Sequence, residues 1–232
     1  MRFVLVILLA ALPLPAAIRG QSPLQKKFQS WTREDAVWIL NRSPWARRET
    51  FTRVVGGIGS GVRGEKEILS TYFVRFLSAR PIREAFVRIQ QIQRGYHQMT
   101  AAQKRRFDQM TQPGLDLDVR RWIVVAVAFR SNDSDQEIQF QRHLRAQTLE
   151  TLRNTTSLST RRFPELQPVA YFPPQEDSVG AKFVFPRLVD GSPVTSPQDR
   201  EITFEMEAPV ATDQLRSTFQ VQEMRIGEEW LL

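Results

Sequence analysis

The chain has 232 residues, no cysteine and a formal charge of +7 at neutral pH. The absence of cysteine excludes a disulfide framework, a thiolate-ligated zinc site, a thiol nucleophile and a lipidated amino-terminal cysteine. A chain of this length makes one domain or two small ones, and it can bury enough apolar surface to fold without cross-links.

Residues 1–20 read as a secretory signal peptide. Arg2 precedes an apolar run from Phe3 to Leu12, which Pro13 and Pro15 break before the small residues Ala16 and Ala17. The run is about ten residues long, whereas a bilayer span needs about 20. Cleavage is expected near Gly20–Gln21, with Ala16 or Ala17 as alternative sites. The product is then exported, periplasmic or extracellular, with no transmembrane segment in the mature chain; an uncleaved amino-terminal anchor is the alternative. Loss of Arg2 and Arg19 leaves a charge of +5. Of the 32 basic residues 27 are arginine, scattered in doublets such as Arg47-Arg48, Arg105-Arg106, Arg120-Arg121 and Arg161-Arg162 among interleaved acids. A nucleic-acid binder concentrates such charge on one face or arm, so nucleic acid is not expected as a partner. An envelope protein or an anionic envelope polymer fits better.

Residues 21–30 form a short polar link. In "WTREDAVWILNRSPWA", Thr32 and Asp35 make a capping box, and Ala36, Ile39 and Leu40 recur at helical spacing, which predicts a helix over residues 33–41. Ser43-Pro44 opens another turn. "TFTRVV" and "EILSTYFVRFLSA" are β-branched and aromatic, and read as two strands. Between them, "GSGVRG" at residues 59–64 spells G-x-G-x-x-G. A dinucleotide loop needs its glycines to open a helix whose amides face the pyrophosphate. Here they lead into a strand, so the stretch at 56–64 is a hairpin loop.

"RPIREAFVRIQQIQ" is an amphipathic helix with Ile82, Ala85, Phe86, Ile89 and Ile92 on one face. A second helix starts at the Thr100/Gln103 capping box and stops at Pro113-Gly114. "WIVVAVAF", apolar at every position, is a central strand buried on both faces. A long helix follows, capped by Ser134 and Glu137, with Ile138, Leu144, Leu149 and Leu152 on its buried side. From residue 159 prolines punctuate the strand candidates "PVAYF", "AKFVFPRL", "EITFEM" and "TFQVQEMRI". The sum is an α+β fold: a mostly antiparallel sheet packed with three to four amphipathic helices, and a carboxy-terminal third that is mainly β. Residues 31–158 form the α+β domain. Residues 159–232 are either a second small domain or an extension of the same sheet.

No constellation of catalytic, cofactor-binding or metal-ligating residues stands out, and no cofactor is implied. His97 and His143 lack metal-ligand spacing, and no nucleophile elbow accompanies them. Asp133-x-Asp135-x-Glu137 faintly resembles a calcium loop but lacks its central glycine and distant glutamate; acids at a helix start explain it better. Glu34-Asp35 and Asp116-x-Asp118 are the other close acids, and nothing selects a pair for sugar hydrolysis. Trp31, Trp38 and Trp45 recur every seven residues. They pack against the domain or, with Arg47 and Arg48, form an interaction surface of the aromatic and arginine types enriched at binding hot spots.

Trp31, Thr32, Asp35, Ala36, Ile39, Leu40, Ser43, Pro44, Trp45 and Ala46 match W-[ST]-x-x-[DE]-A-x-x-[IV]-L-x-x-S-P-W-A. By this motif the chain resembles a family of uncharacterised, predicted secreted bacterial proteins, mainly acidobacterial. The glycine-rich residues 56–64, the segment Val74, Arg75, Phe76, Ser78, Ala79, Pro81, and Phe183, Phe185, Pro186, Arg187 also fit that resemblance. Many members of the family it resembles carry Trp-Glu where this chain has Phe76-Leu77. The resemblance implies export and carries no known activity. The expected function is therefore that of a non-enzymatic exported protein acting by protein interaction, with a carboxylate-dependent envelope hydrolase or a small-ligand carrier as alternatives.

Overall fold

In the computed structural model, residues 22–56 and 65–232 are described. The expected signal peptide and the 59–64 glycine stretch lie outside the described residues.

Two short 3-10 turns lead into helix α1 (Arg33–Arg42). Its capping box forms as expected: the Asp35 amide donates to Thr32 Oγ1, and the Thr32 amide donates to Asp35 Oδ2, each at 3.1 Å. The turn expected at Ser43-Pro44 forms, with the Ala46 amide donating to the Ser43 carbonyl at 3.0 Å. Ser43 Oγ donates to the Ile39 carbonyl at 2.6 Å, closing α1, and strand β1 (Ala46–Gly56) begins at once. It pairs along its whole length with β2 (Glu65–Phe76). Helix α2 (Arg80–Gln93) has Pro81 in its first turn, where a missing amide is harmless.

Helix α3 (Ala101–Leu115) starts at the expected Thr100/Gln103 box but runs past the expected stop and contains Pro113. The last turn survives because Arg83 Nε donates to the Leu115 carbonyl at 3.1 Å, the kind of cation a helix carboxy terminus favours. Strand β3 (Trp122–Ser131) follows. The long helix expected next is two helices, α4 (Ser134–Ala146) and α5 (Leu149–Arg153). Asp133 rather than Ser134 caps α4, its Oδ1 accepting the Asp135 amide. Thr148 and Thr151 make a second capping box that restarts the chain as α5. Phe140 and Leu144 are the buried residues of α4, whereas Ile138 is 54% exposed. The expected buried side holds for Leu144 and Leu152; Leu149 is only half buried.

The remaining elements are strands β4 (Thr156–Ser159), β5 (Ala170–Phe172), β6 (Ala181–Pro186), β7 (Leu188–Val189), β8 (Ser192–Pro193), β9 (Glu201–Glu207), β10 (Gln214–Gln220), β11 (Arg225–Ile226) and β12 (Glu229–Trp230). They make two sheets and two small hairpins. The first sheet has the order β1-β2-β3-β6-β5, the second β10-β9-β4, and all these pairs are antiparallel. The fold is α+β, as composition and pattern predict. The carboxy-terminal strands do two things: β5 and β6 complete the first sheet beside β3, and β4, β9 and β10 build the second.

Register gives the first sheet two distinct faces, because side chains alternate along each strand. Tyr72 lies opposite Phe129, Val74 opposite Val127 and Phe76 opposite Val125, which in turn faces Phe183. This inner face packs on the second sheet and α4. Phe76 meets Phe219 edge-on at 4.7 Å, Phe183 meets Phe204 at 5.4 Å, and Tyr72 meets Phe140 at 5.7 Å between ring centroids. The Tyr72 hydroxyl donates to the Val210 carbonyl and Arg47 Nε to the Thr218 carbonyl, tying the sheets together. One cluster of buried apolar residues runs from Trp31 through both sheets to Leu232. The outer face of the first sheet carries Phe73, Arg75, Leu77, Val124, Ala126, Lys182 and Val184, and the helices α1, α2 and α3 cover it unequally.

Candidate functional site

The aromatic and arginine residues singled out in the amino-terminal motif do not form a shared surface. Trp31 is 2% exposed and Trp45 fully buried, and Trp38 is packed partly buried against the core. Trp31 Nε1 donates to the Pro23 carbonyl at 2.8 Å. Arg47 and Arg48 are neighbours on β1 and so point to opposite faces. Arg47 turns inward, its guanidinium 4.9 Å from the Phe219 ring centroid, while Arg48 is exposed. The seven-residue tryptophan spacing thus marks packing: a 3-10 turn, a helix and a tight turn each send an indole under the same domain.

Each of the three acidic clusters noted in the sequence includes a side chain with a structural partner. Asp35 and Asp133 cap helices, Asp116 accepts from Gln112 Nε2 at 2.9 Å, and Glu137 Oε1 accepts the Ser131 amide at 2.9 Å. Burial, opposed more strongly by helix-capping and Lys26 contacts together, leaves the Asp35 carboxyl below its ordinary value. His143 Nε2 lies 3.0 Å from Gln147 Nε2 on α4. Among the described residues no group of three or more His, Cys, Asp or Glu is placed to hold a metal ion, and no helix is long and apolar enough to cross a membrane.

The principal concavity lies on the outer face of the first sheet. Its floor follows the register: the Leu77 amide bonds the Val124 carbonyl, Val124 pairs with Val184, and Val184 pairs with Ala170. Two residues back along β6, Lys182 pairs with Phe172. One wall is α2, which presents Arg83, Phe86, Val87 and Gln90, residues three and four apart and therefore on one helical face. The end of α3 supplies Met110, Gly114 and the following Leu117, and the loop before β6 supplies Val179. The space is about 660 Å³, with Trp122 in its lining. It is open because α3 is shallowly packed: Phe107 is its one buried residue, and Met110 is 61% exposed. Phe172 and Val169 on the opposite rim are 53% and 41% exposed.

The groove contains three charged residues, Arg83, Asp177 and Lys182. Lys182 Nζ and Asp177 Oδ2 pair at 2.7 Å. Arg83 donates from Nε to Leu115 and from Nη1 to the Leu77 and Ser78 carbonyls, the latter two at 2.7 Å. Burial lowers its pKa, with Glu84 acting in the opposite sense; a guanidinium nonetheless stays charged at neutral pH. A smaller polar cleft of about 340 Å³ between β4, β9 and the loop before β10 is lined by Glu165, Glu205, Glu207 and Asp213. Glu205 there pairs with Arg216 at 3.0 Å.

Sequence reasoning did not find this groove. Arg83, Phe86 and Val87 read as ordinary helix residues, and the floor comes from three strands distant in sequence. One signal was present: α2 carries apolar residues at both Phe86 and Val87, more than a single buried stripe requires.

The fold and groove define the class of protein: an α+β scaffold in which an open antiparallel sheet is backed by a second sheet, with helices forming one side of an apolar channel. Comparisons with protein-family models, with curated proteins and with solved structures return no match.

Proposed function

We propose that this is an exported, non-catalytic protein that binds a small, largely apolar molecule in the groove between α2, α3 and the β3–β6–β5 floor. The observation that carries this reading is the groove itself. Its volume of about 660 Å³ falls within the roughly 300–1,000 Å³ usual for small-molecule sites, and such sites are mostly apolar with a few placed polar groups. The amino-terminal Arg2, Phe3–Leu12 run and prolines support export. A carboxylate hydrolase is less well supported, because the groove has one acid, Asp177, and Lys182 holds it.

The test uses the mature chain from Gln21 onward and the neutral dye Nile red, whose emission rises in apolar surroundings. Saturable binding at one site is expected. Val169→Trp, a substitution at an exposed rim position, should fill the groove and abolish binding while the melting temperature stays within about 3 °C of the parent, since surface changes seldom exceed ±0.5 kcal/mol. Absence of saturable binding, or binding unaffected by Val169→Trp, overturns the reading.

A further inference from the structure

The groove's chemistry goes further than apolarity, and the identity of its ligand, inferred here, rests on the small-molecule binding proposed for it. Arg83 is fixed from three sides. Its Nε and Nη1 are spent on the carbonyls of Leu115, Leu77 and Ser78, while Nη2 has no acceptor among the described residues and the residue lines the groove. The nearby acids are engaged elsewhere. Glu84 lies 3.8 Å from Arg80 Nε, Asp116 accepts from Gln112, and Asp177 pairs with Lys182. Arg83 forms no ion pair of its own within the described residues. A half-buried cation is thus held rigidly in the lining of an apolar channel, with one donor edge unspent.

That arrangement has a defined complement. An arginine whose rotamer is already locked loses little further side-chain entropy when it binds, and hydrogen bonds to charged groups are stronger than neutral ones. The apolar floor of Leu77, Val124 and Val184 excludes a wholly polar anion, which would give up its hydration for little contact. We infer that the ligand is an anionic amphiphile, a single aliphatic or aromatic body ending in a carboxylate, with the body along the β3–β6–β5 floor and the carboxylate on Arg83 Nη2. Arg83 is then the residue that selects the anion, and the Lys182–Asp177 pair contributes a neutral flank.

The experiment is displacement of Nile red from the mature protein by decanoate, decanol and decyltrimethylammonium, all below their aggregation concentrations. Decanoate should displace the dye at a concentration at least about tenfold lower than decanol, the ratio expected for one charge-assisted hydrogen bond, and the cation should be the poorest. In Arg83→Met, which keeps the apolar stem, the concentrations of decanoate and decanol that displace the dye should become equal. Decanol equal to decanoate on the parent protein overturns the anionic inference and leaves the groove reading standing, and this holds even if Arg83→Met fails to fold. A preference for decanoate that persists in folded Arg83→Met removes Arg83 from the role and overturns the inference. Failure of Nile red to bind the parent protein removes the groove reading, and the inference falls with it.

Discussion

Truncation of Trp45 to alanine tests the amino-terminal architecture directly. The indole is fully buried. A tryptophan buries about 150–250 Å², and at about 25 cal/mol per Å² that corresponds to roughly 4–6 kcal/mol as an upper bound. Measured costs of such truncations run about 3–5 kcal/mol, which is the loss expected here. Trp45→Phe should behave differently. Trp45 Nε1 is buried with no acceptor among the described residues, so removing it relieves a desolvated donor worth about 1–3 kcal/mol. That relief offsets much of the smaller cavity, and Trp45→Phe should cost no more than about 1 kcal/mol. Trp31→Phe gives the contrast, since its Nε1 bonds the Pro23 carbonyl and its loss adds about 1 kcal/mol. Urea unfolding followed by far-ultraviolet circular dichroism avoids the change in intrinsic fluorescence. Equal slopes among the variants license comparison of the extrapolated stabilities. A loss below about 1 kcal/mol for Trp45→Ala would refute the placement of this indole in the core. Trp45→Phe as damaging as Trp45→Ala would refute the argument about the unpaired nitrogen.

Gly180 has φ +99°, and a Cβ placed there would lie 2.1 Å from the Val127 carbonyl oxygen; Gly180→Ala should therefore cost more than about 3 kcal/mol or prevent folding, as read by thermal melting. Arg75 is buried, with Nε donating to the Leu40 carbonyl at 2.6 Å and Nη2 to Asn41 Oδ1 at 3.0 Å. Arg75→Met should cost about 2–4 kcal/mol, and Arg75→Lys at least as much, because an ammonium buries the same charge with fewer bonds; a Lys variant clearly more stable than Met in urea unfolding would contradict this. Burial raises the pKa of the Tyr72 and Tyr171 phenols above the ordinary tyrosine value. The unfolded chain then loses these protons from about pH 10 while the folded chain keeps them. The contribution of these two phenols to stability should be constant below that pH and fall above it, the loss being smaller in Tyr72→Phe. Phenolate absorbance from these two side chains should appear together with unfolding, and its appearance in the folded protein near pH 10 would overturn the assignment.

Local signals were legible wherever the deciding interaction was itself local. The Thr32/Asp35 and Thr100/Gln103 boxes are visible as sequence and present as hydrogen bonds, and "RPIREAFVRIQQIQ" is helix α2 from first residue to last. The apolar run of β3 announced a central strand because a strand with neighbours on both edges and cover on both faces tolerates few polar residues. The break between α4 and α5 was missed because its box pairs two threonines, Thr148 and Thr151, and lacks the acidic or amide partner that usually marks one. Strand β4, with the sequence Thr-Ser-Leu-Ser, has one strongly apolar residue and owes its conformation to pairing with β9. The groove was illegible for a different reason. The acceptors that fix Arg83 are backbone carbonyls, which every residue possesses, and its floor joins residues from 77 to 184.

The groove also follows from how the first sheet is covered. Its inner face meets another sheet whose Phe204, Phe219 and Leu215 are fully buried, and large rings from the two sheets pack against one another there. Its outer face meets helices whose own sequences limit how closely they can approach. Helix α2 commits Ile82 and Ala85 to the core, whereas α3, rich in Gln, Lys and Arg, commits Phe107 alone. A helix with one buried anchor cannot seal a sheet face that carries Val124, Val184 and Ala170 in register. What stabilises its far end is then Arg83 on the Leu115 carbonyl, and that same contact brings a positive charge to the apolar opening. Scaffold and candidate recognition group are thus one interaction. For this reason Arg83→Met is expected to loosen the end of α3 as well as to erase the preference for a carboxylate. Hydrogen exchange should separate the two effects: faster exchange in residues 111–116 reports the lost helix contact, and the decanoate-to-decanol ratio reports the lost charge.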